Sequence, residues 1–180
     1  GGQGSADGQF EVKRALLTLL LATSPLAARE VVPLDGAWQA RLDPADTAAV
    51  KAHPKEARWF AARVPGSVQE DLIRLKRVPD PFIGTNEGAI QWAGLSAWQY
   101  RKTLTVTPQM LAHRYLDLVF DGLDTFATVT VNGQPLLTAD NAHRRWRADA
   151  KPLLKAGDNE ILVTIASPIK TLQPMVLKEA

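Results

Sequence analysis

The chain contains no cysteine. Disulfide frameworks, cysteine-ligated zinc and thiol nucleophiles are therefore excluded. Histidine is scarce: His53, His113 and His143 stand far apart and lack metal-ligand spacing. No metal site and no cofactor is expected. An excess of one charge is also missing. Lys and Arg number 21 against 19 Asp and Glu, a formal net charge of +2. A nucleic-acid binder gathers its basic residues into a stripe. The densest run here, His143-Arg144-Arg145-Trp146-Arg147, is short and soon followed by Asp149. Nucleic acid is thus not an expected partner. Nor is a membrane, because the main apolar run, Ala15 to Ala22, falls well short of the ~20 residues a spanning helix needs. No internal repeat or low-complexity tract is visible.

What is present suits one globular domain with a tail. Hydrophobic residues make up 46% of 180 residues, enough for one core. Gly1 to Val12 has no initiator Met and reads as an expression scar. Lys13-Arg14, the apolar run Ala15 to Ala22 and the small-residue exit Ser24-Pro25-Leu26-Ala27-Ala28 form the pattern of a secretory leader. The competing reading, a short buried helix, is cut off by Thr23-Ser24-Pro25. Residues 1–28 are therefore expected to lie outside the fold, and the native protein to be periplasmic or secreted.

From Val31 onward, short runs of β-formers alternate with Gly, Pro, Asn and Asp. Trp38, Ala40 and Leu42 alternate with Gln39 and Arg41, as in a half-buried strand. Trp59 to Val64 forms a second strand signal, closed by Pro65-Gly66. Ser67-Val68-Gln69-Glu70 is a capping box that opens a helix over about 67–77, with Val68, Leu72 and Leu75 on one face. Trp98 to Thr107, Tyr115 to Phe120 and Phe126 to Val131 are further strand signals. Asn132-Gly133 marks a hairpin because both residues tolerate positive φ. Gly157-Asp158-Asn159 reads as another turn, followed by a strand from Ile161 to Ala166. Turns at such regular spacing indicate an all-β sandwich or barrel.

Several phrases, taken in order, resemble glycoside hydrolase family 2, and within it the β-mannosidases. They are Leu34-Asp35-Gly36-Ala37-Trp38, Val64-Pro65-Gly66-Ser67-Val68, Pro79 to Glu87 (PDPFIGTNE), Trp98 to Lys102, Phe120 to Thr125 with Val131-Asn132-Gly133, and Asp140 to Arg147. The likeness runs over roughly Arg29 to Ile169. It implies a jelly-roll β-sandwich over 29–169, called the sugar-binding domain in this family, with 170–180 beginning a linker to further domains. It also implies that the whole enzyme releases terminal non-reducing β-mannose with retention. That chemistry needs two carboxyl groups about 5–5.5 Å apart. In the resembled family both are glutamates on a (β/α)₈ barrel, which needs roughly 200 residues or more. No catalytic residue is therefore expected here, and the chain by itself is expected to be inactive. The implied partners are the remaining domains of the same enzyme and, through the full-length protein, β-mannosides. A stand-alone carbohydrate-binding module and an interaction sandwich with no sugar role are the competing functions.

Most carboxylates have structural readings. Glu70 serves as a cap, while Asp121, Asp124 and Asp158 sit in turn sequences. The irregular stretch Asp80 to Ser96 stands apart, since a long connection inside a compact domain is often functional. Asp80, Asn86, Glu87 and Trp92 are its candidate substrate-binding or domain-junction residues. The competing reading is a loop anchored on the sandwich by Phe82 and Trp92. Core packing is expected for Trp38, Trp59 and Trp98. Trp146 is either covered by guanidinium groups or packed at the sandwich edge.

Overall fold

The structure, a computed structural model, describes residues 30–179. The scar-and-leader reading of residues 1–28 lies outside them. One compact unit, from Leu34 onward, carries every element below. In order these are β1 (Gly36–Leu42), α1 (Thr47–Ala52), β2 (Phe60–Val64), α2 (Val68–Arg74), a 3₁₀ turn (Asn86–Ala89) and α3 (Gln91–Gly94). Then follow β3 (Trp98–Val106), α4 (Pro108–Ala112), β4 (Asp117–Phe120), β5 (Phe126–Val131), β6 (Gln134–Ala139), β7 (Trp146–Asp149), β8 (Gly157–Ala166) and α5 (Pro168–Glu179). The strands form a six-stranded sheet, in the order β2-β1-β3-β8-β5-β6, and a two-stranded sheet of β4 and β7. All pairs are antiparallel. This is an all-β sandwich with short helices.

Strand alternation fixes which side chains turn inward. Trp38, Ala40 and Leu42 of β1 are buried, as are Phe60 and Ala62 of β2 and Trp98, Tyr100 and Val106 of β3. They join Val129, Val131, Ile161 and Val163 from β5 and β8 of the same sheet, and Leu118, Leu123 and Ala150 around the smaller sheet. A fully buried aliphatic such as Leu42 contributes about 1.5–3 kcal/mol. The two core indoles satisfy their N–H groups on backbone: Trp38 donates to Leu34 O at 2.8 Å and Trp98 to Ala93 O at 2.8 Å. Burial, followed by the negative charges of Asp71 and Glu70, pushes the Tyr100 phenol above its usual range.

The capping box forms. Ser67 N donates to Glu70 Oε2 at 2.9 Å, and Glu70 N donates to Ser67 Oγ at 3.3 Å. α2 then buries Val68 and Leu72. Its Asp71, also buried, accepts from Arg63 N and from Arg74. The expected hairpin forms as well, with Asn132 at φ 52° and Gly133 at φ 78°.

The turn expected at Gly157-Asp158-Asn159 is corrected. Those residues open β8, opposite Val106, Thr105 and Leu104 of β3. Asn159 is only 1% exposed. Its Oδ1 accepts from Lys155 N and Asn132 Nδ2, while its Nδ2 donates to Lys155 O and Gly157 O, all at 2.8–2.9 Å. A turn-type side chain thus folds the preceding loop back onto the strand it begins.

Helices beyond the expected one fill the connections. α1 starts at Asp46, whose carboxylate accepts from Ala49 N. The same carboxylate accepts from Ala97 N at 3.1 Å, beside β3, and pairs with Lys170 of α5 at 3.2 Å. Burial opposes its ionisation. The amide of Ala97, the Lys170 ammonium and the amide of Ala49 together outweigh that effect, holding the Asp46 carboxyl below the ordinary carboxylate range.

Candidate functional site

The stretch from Asp80 to Ser96 bridges the end of α2 and the start of β3. Asp80 Oδ1 accepts from Phe82 N at 3.0 Å, and its backbone carbonyl accepts from Asn86 Nδ2 at 3.1 Å. Asp80 and Asn86 therefore build the loop from within, an Asx-type turn closed by an amide. Glu87 lies in the 3₁₀ turn, exposed, with no hydrogen bond or ion pair from its carboxylate among the described residues. Among those residues, no group of three His, Asp or Glu side chains is placed to hold a metal ion.

Trp92 is set apart from these three. Its ring stacks on His53 at 3.6 Å with 12° between planes, and tilts against Trp98 at 5.8 Å. Its carbonyl accepts from Ser96 Oγ at 2.8 Å. Trp92 is thus the anchor of the loop, and one of its faces is already occupied. Phe82 is not an anchor: it is 95% exposed, with Ile83 beside it at 64%. The loop therefore ends in an apolar tip held by a polar turn.

The tryptophan readings divide. Trp38 and Trp98 are core residues. Trp59 is not, which corrects the expectation of core packing. It precedes β2 and sits half-buried with Arg41 and Arg101 over its ring, their guanidinium carbons 4.4 and 4.2 Å from the centroid. Strand parity carried the signal: Phe60, Ala62 and Val64 share the inner phase, so Trp59 belongs with Ala61 and Arg63 outside. Trp146 combines its two readings. Arg144 lies over its ring at 4.5 Å, and its inner edge packs on the core. Asp121 pairs with Arg145, Asp117 pairs with Arg147, and Asp158 accepts from Thr105 Oγ1.

Over this framework, the family described as "Glycosyl hydrolase 2 galactose-binding domain-like" matches residues 45–179. The chain belongs to that family. Two curated relatives of this glycosyl hydrolase 2 domain are β-mannosidase B proteins. The one from Thermothelomyces thermophilus is 39% identical over 143 residues, covering 79% of this chain and 16% of the relative. The one from Aspergillus clavatus is 35% identical over 138 residues, covering 76% and 15%. Among solved structures, the β-D-mannosidase of Dictyoglomus thermophilum matches with a TM-score of 0.73 and 35% identity, over 82% of this chain and 17% of that one. An uncultured Clostridium sp. β-glucuronidase matches with a TM-score of 0.56 at 17% identity, over 78% and 22%. That second likeness shows a shared fold alone. This glycosyl hydrolase 2 domain therefore spans about one sixth of the length of the mannosidases it resembles. Among the described residues, no helix is long and apolar enough to cross a membrane.

Proposed function

We infer that this chain is the non-catalytic N-terminal sandwich domain of a retaining exo-β-mannosidase, an enzyme that removes terminal non-reducing β-mannose. The observation that carries the reading is the pairing of high similarity with low coverage. The chain matches β-mannosidases over about four-fifths of its own length while filling about one sixth of theirs. The catalytic glutamate pair then belongs to the remaining domains, which are this domain's partners. Residues 29–169 are the domain proper, and 170–180, helical as far as Glu179, lead toward the next one. The leader-like pattern over Lys13 to Ala28 supports export to the periplasm or the outside of the cell.

The loop from Asp80 to Ser96 is the domain junction in this reading. Asp80 and Asn86 stiffen it, Trp92 roots it beside His53, and Phe82 and Ile83 form a tip that water does not favour. Glu87 stands beside that tip with its carboxylate unengaged among the described residues, ready to accept hydrogen bonds across the junction. Two measurements test the reading. The 180-residue chain should give no turnover of an aryl β-mannoside above a vector control. The source gene, read past the codon for Ala180, should encode a (β/α)₈ barrel with two glutamates at the ends of its strands. Turnover by this chain, or a gene without that barrel, refutes the reading.

A further inference from the structure

We propose that the open cleft beside Trp59 is a binding site for an acidic saccharide, with the carboxylate held by Lys55 and Arg58 and the sugar ring laid on the indole. The cleft has a volume of about 540 Å³ and is lined by Pro54, Lys55, Arg58, Trp59 and Arg77. That volume falls in the range of small-ligand sites. Pro54, Lys55, Arg58 and Trp59 are near neighbours in sequence, and the fold adds Arg77 to them. They come from the turn after α1, the approach to β2 and the stretch following α2.

The cleft is basic, and much of its charge is unspent. Arg77 is pinned: it pairs with Glu56 at 3.3 Å, donates to Lys55 O at 3.4 Å and lies over the Phe60 ring at 4.6 Å. Glu56 is buried and consumed by that pair. Lys55 and Arg58 are exposed, and neither has a carboxylate within ion-pair distance among the described residues. Arg41 and Arg101 add positive charge from the sheet while fixing the indole by cation–π contact. Among the described residues, Glu160 pairs with Arg101 at 3.9 Å and offsets part of that charge.

Two features select the ligand. Unpaired Lys and Arg ask for an anion, and the planar guanidinium fork matches a carboxylate. An inorganic anion would not use the part of the indole that lines the cleft beyond the Arg41 and Arg101 guanidinium groups. A flat apolar surface with a polar edge suits the C–H face of a pyranose. A uronic acid unites both in one residue. A neutral mannoside would leave the cations unanswered, so this site is independent of the mannosidase reading and survives or fails without it.

The test is a titration of the ¹⁵N-labelled 180-residue chain at low salt, following the Trp59 indole N–H resonance. The ligands are a galacturonate disaccharide, mannobiose and sodium sulfate. The uronate should shift the resonance saturably, and Lys55→Ala with Arg58→Ala should weaken binding about 10-fold or more. Arg58→Lys, which keeps the charge but loses the fork, should weaken it less. Both side chains lie at the surface, so the fold tolerates these changes. No saturable shift up to about 20 mM uronate overturns the proposal. Equal affinity for sulfate overturns the role of the sugar face, equal affinity for mannobiose overturns the role of the charge, and unchanged affinity in the double variant overturns the site.

Discussion

Replacing Asn159 by alanine removes a side chain that joins three parts of the chain. Its carboxamide makes four hydrogen bonds of 2.8–2.9 Å, to Lys155 N, Lys155 O, Gly157 O and Asn132 Nδ2. At a net ~1 kcal/mol each, their loss amounts to about 4 kcal/mol. Lys155 and Gly157 are themselves exposed, so water re-satisfies part of what is freed, leaving about 3 kcal/mol. Urea unfolding followed by tryptophan fluorescence measures this directly, with an expected midpoint shift of about 1.5 M for a slope near 2 kcal/mol/M. Asn159→Asp is the sharper control. It keeps both accepted bonds but places an acceptor against Lys155 O and Gly157 O, so at neutral pH it should destabilise at least as much as alanine. A midpoint shift below about 0.5 M for Asn159→Ala would refute the view that this network fixes the start of β8.

Two other outcomes follow from the caps. Ser67→Ala should cost about 1 kcal/mol in the same assay, because α2 loses half of its capping box; Ser67→Asp should recover most of it. Asp46 has a carboxyl held below its unfolded value, so its contribution is present above that unfolded value, near pH 3.9, and is lost as pH falls through the folded one. Asp46→Asn should therefore destabilise the protein at neutral pH and converge with the wild type in acid. Parallel pH profiles with no convergence would contradict the role assigned to its ion pair with Lys170.

The alternating strands were legible because each has one wet and one dry face. Trp38, Ala40 and Leu42 announce β1 without help from anything distant. The capping box of α2 and the Asn132-Gly133 turn were equally local, as their partners lie within a few residues. Legibility failed where long-range pairing overruled composition. Gly157-Asp158-Asn159 has turn chemistry, yet β3 supplies a partner strand that no local pattern reveals. α1 was hidden in an alanine-rich connection too short to show a helical period, and its start is fixed by Asp46, which also reaches Ala97, 51 residues away. The stretch from Asp80 to Ser96 was legible as the least regular part of the domain, but the division of roles between its two aromatics was not. Trp92 roots it and Phe82 projects from it, a division set by His53 and Trp98 rather than by neighbours in sequence.

The side chain of Asn132 bears on how this protein ages. An asparagine before glycine loses ammonia when its side-chain carbon is attacked by the next backbone nitrogen, a cyclisation that needs the amide free to rotate. Here Nδ2 is tied to Leu153 O and Asn159 Oδ1, and Oδ1 is tied to Glu160 N. The folded hairpin therefore shields its own weak link, and deamidation at Asn132 becomes a chemical clock that runs only while the sandwich is open.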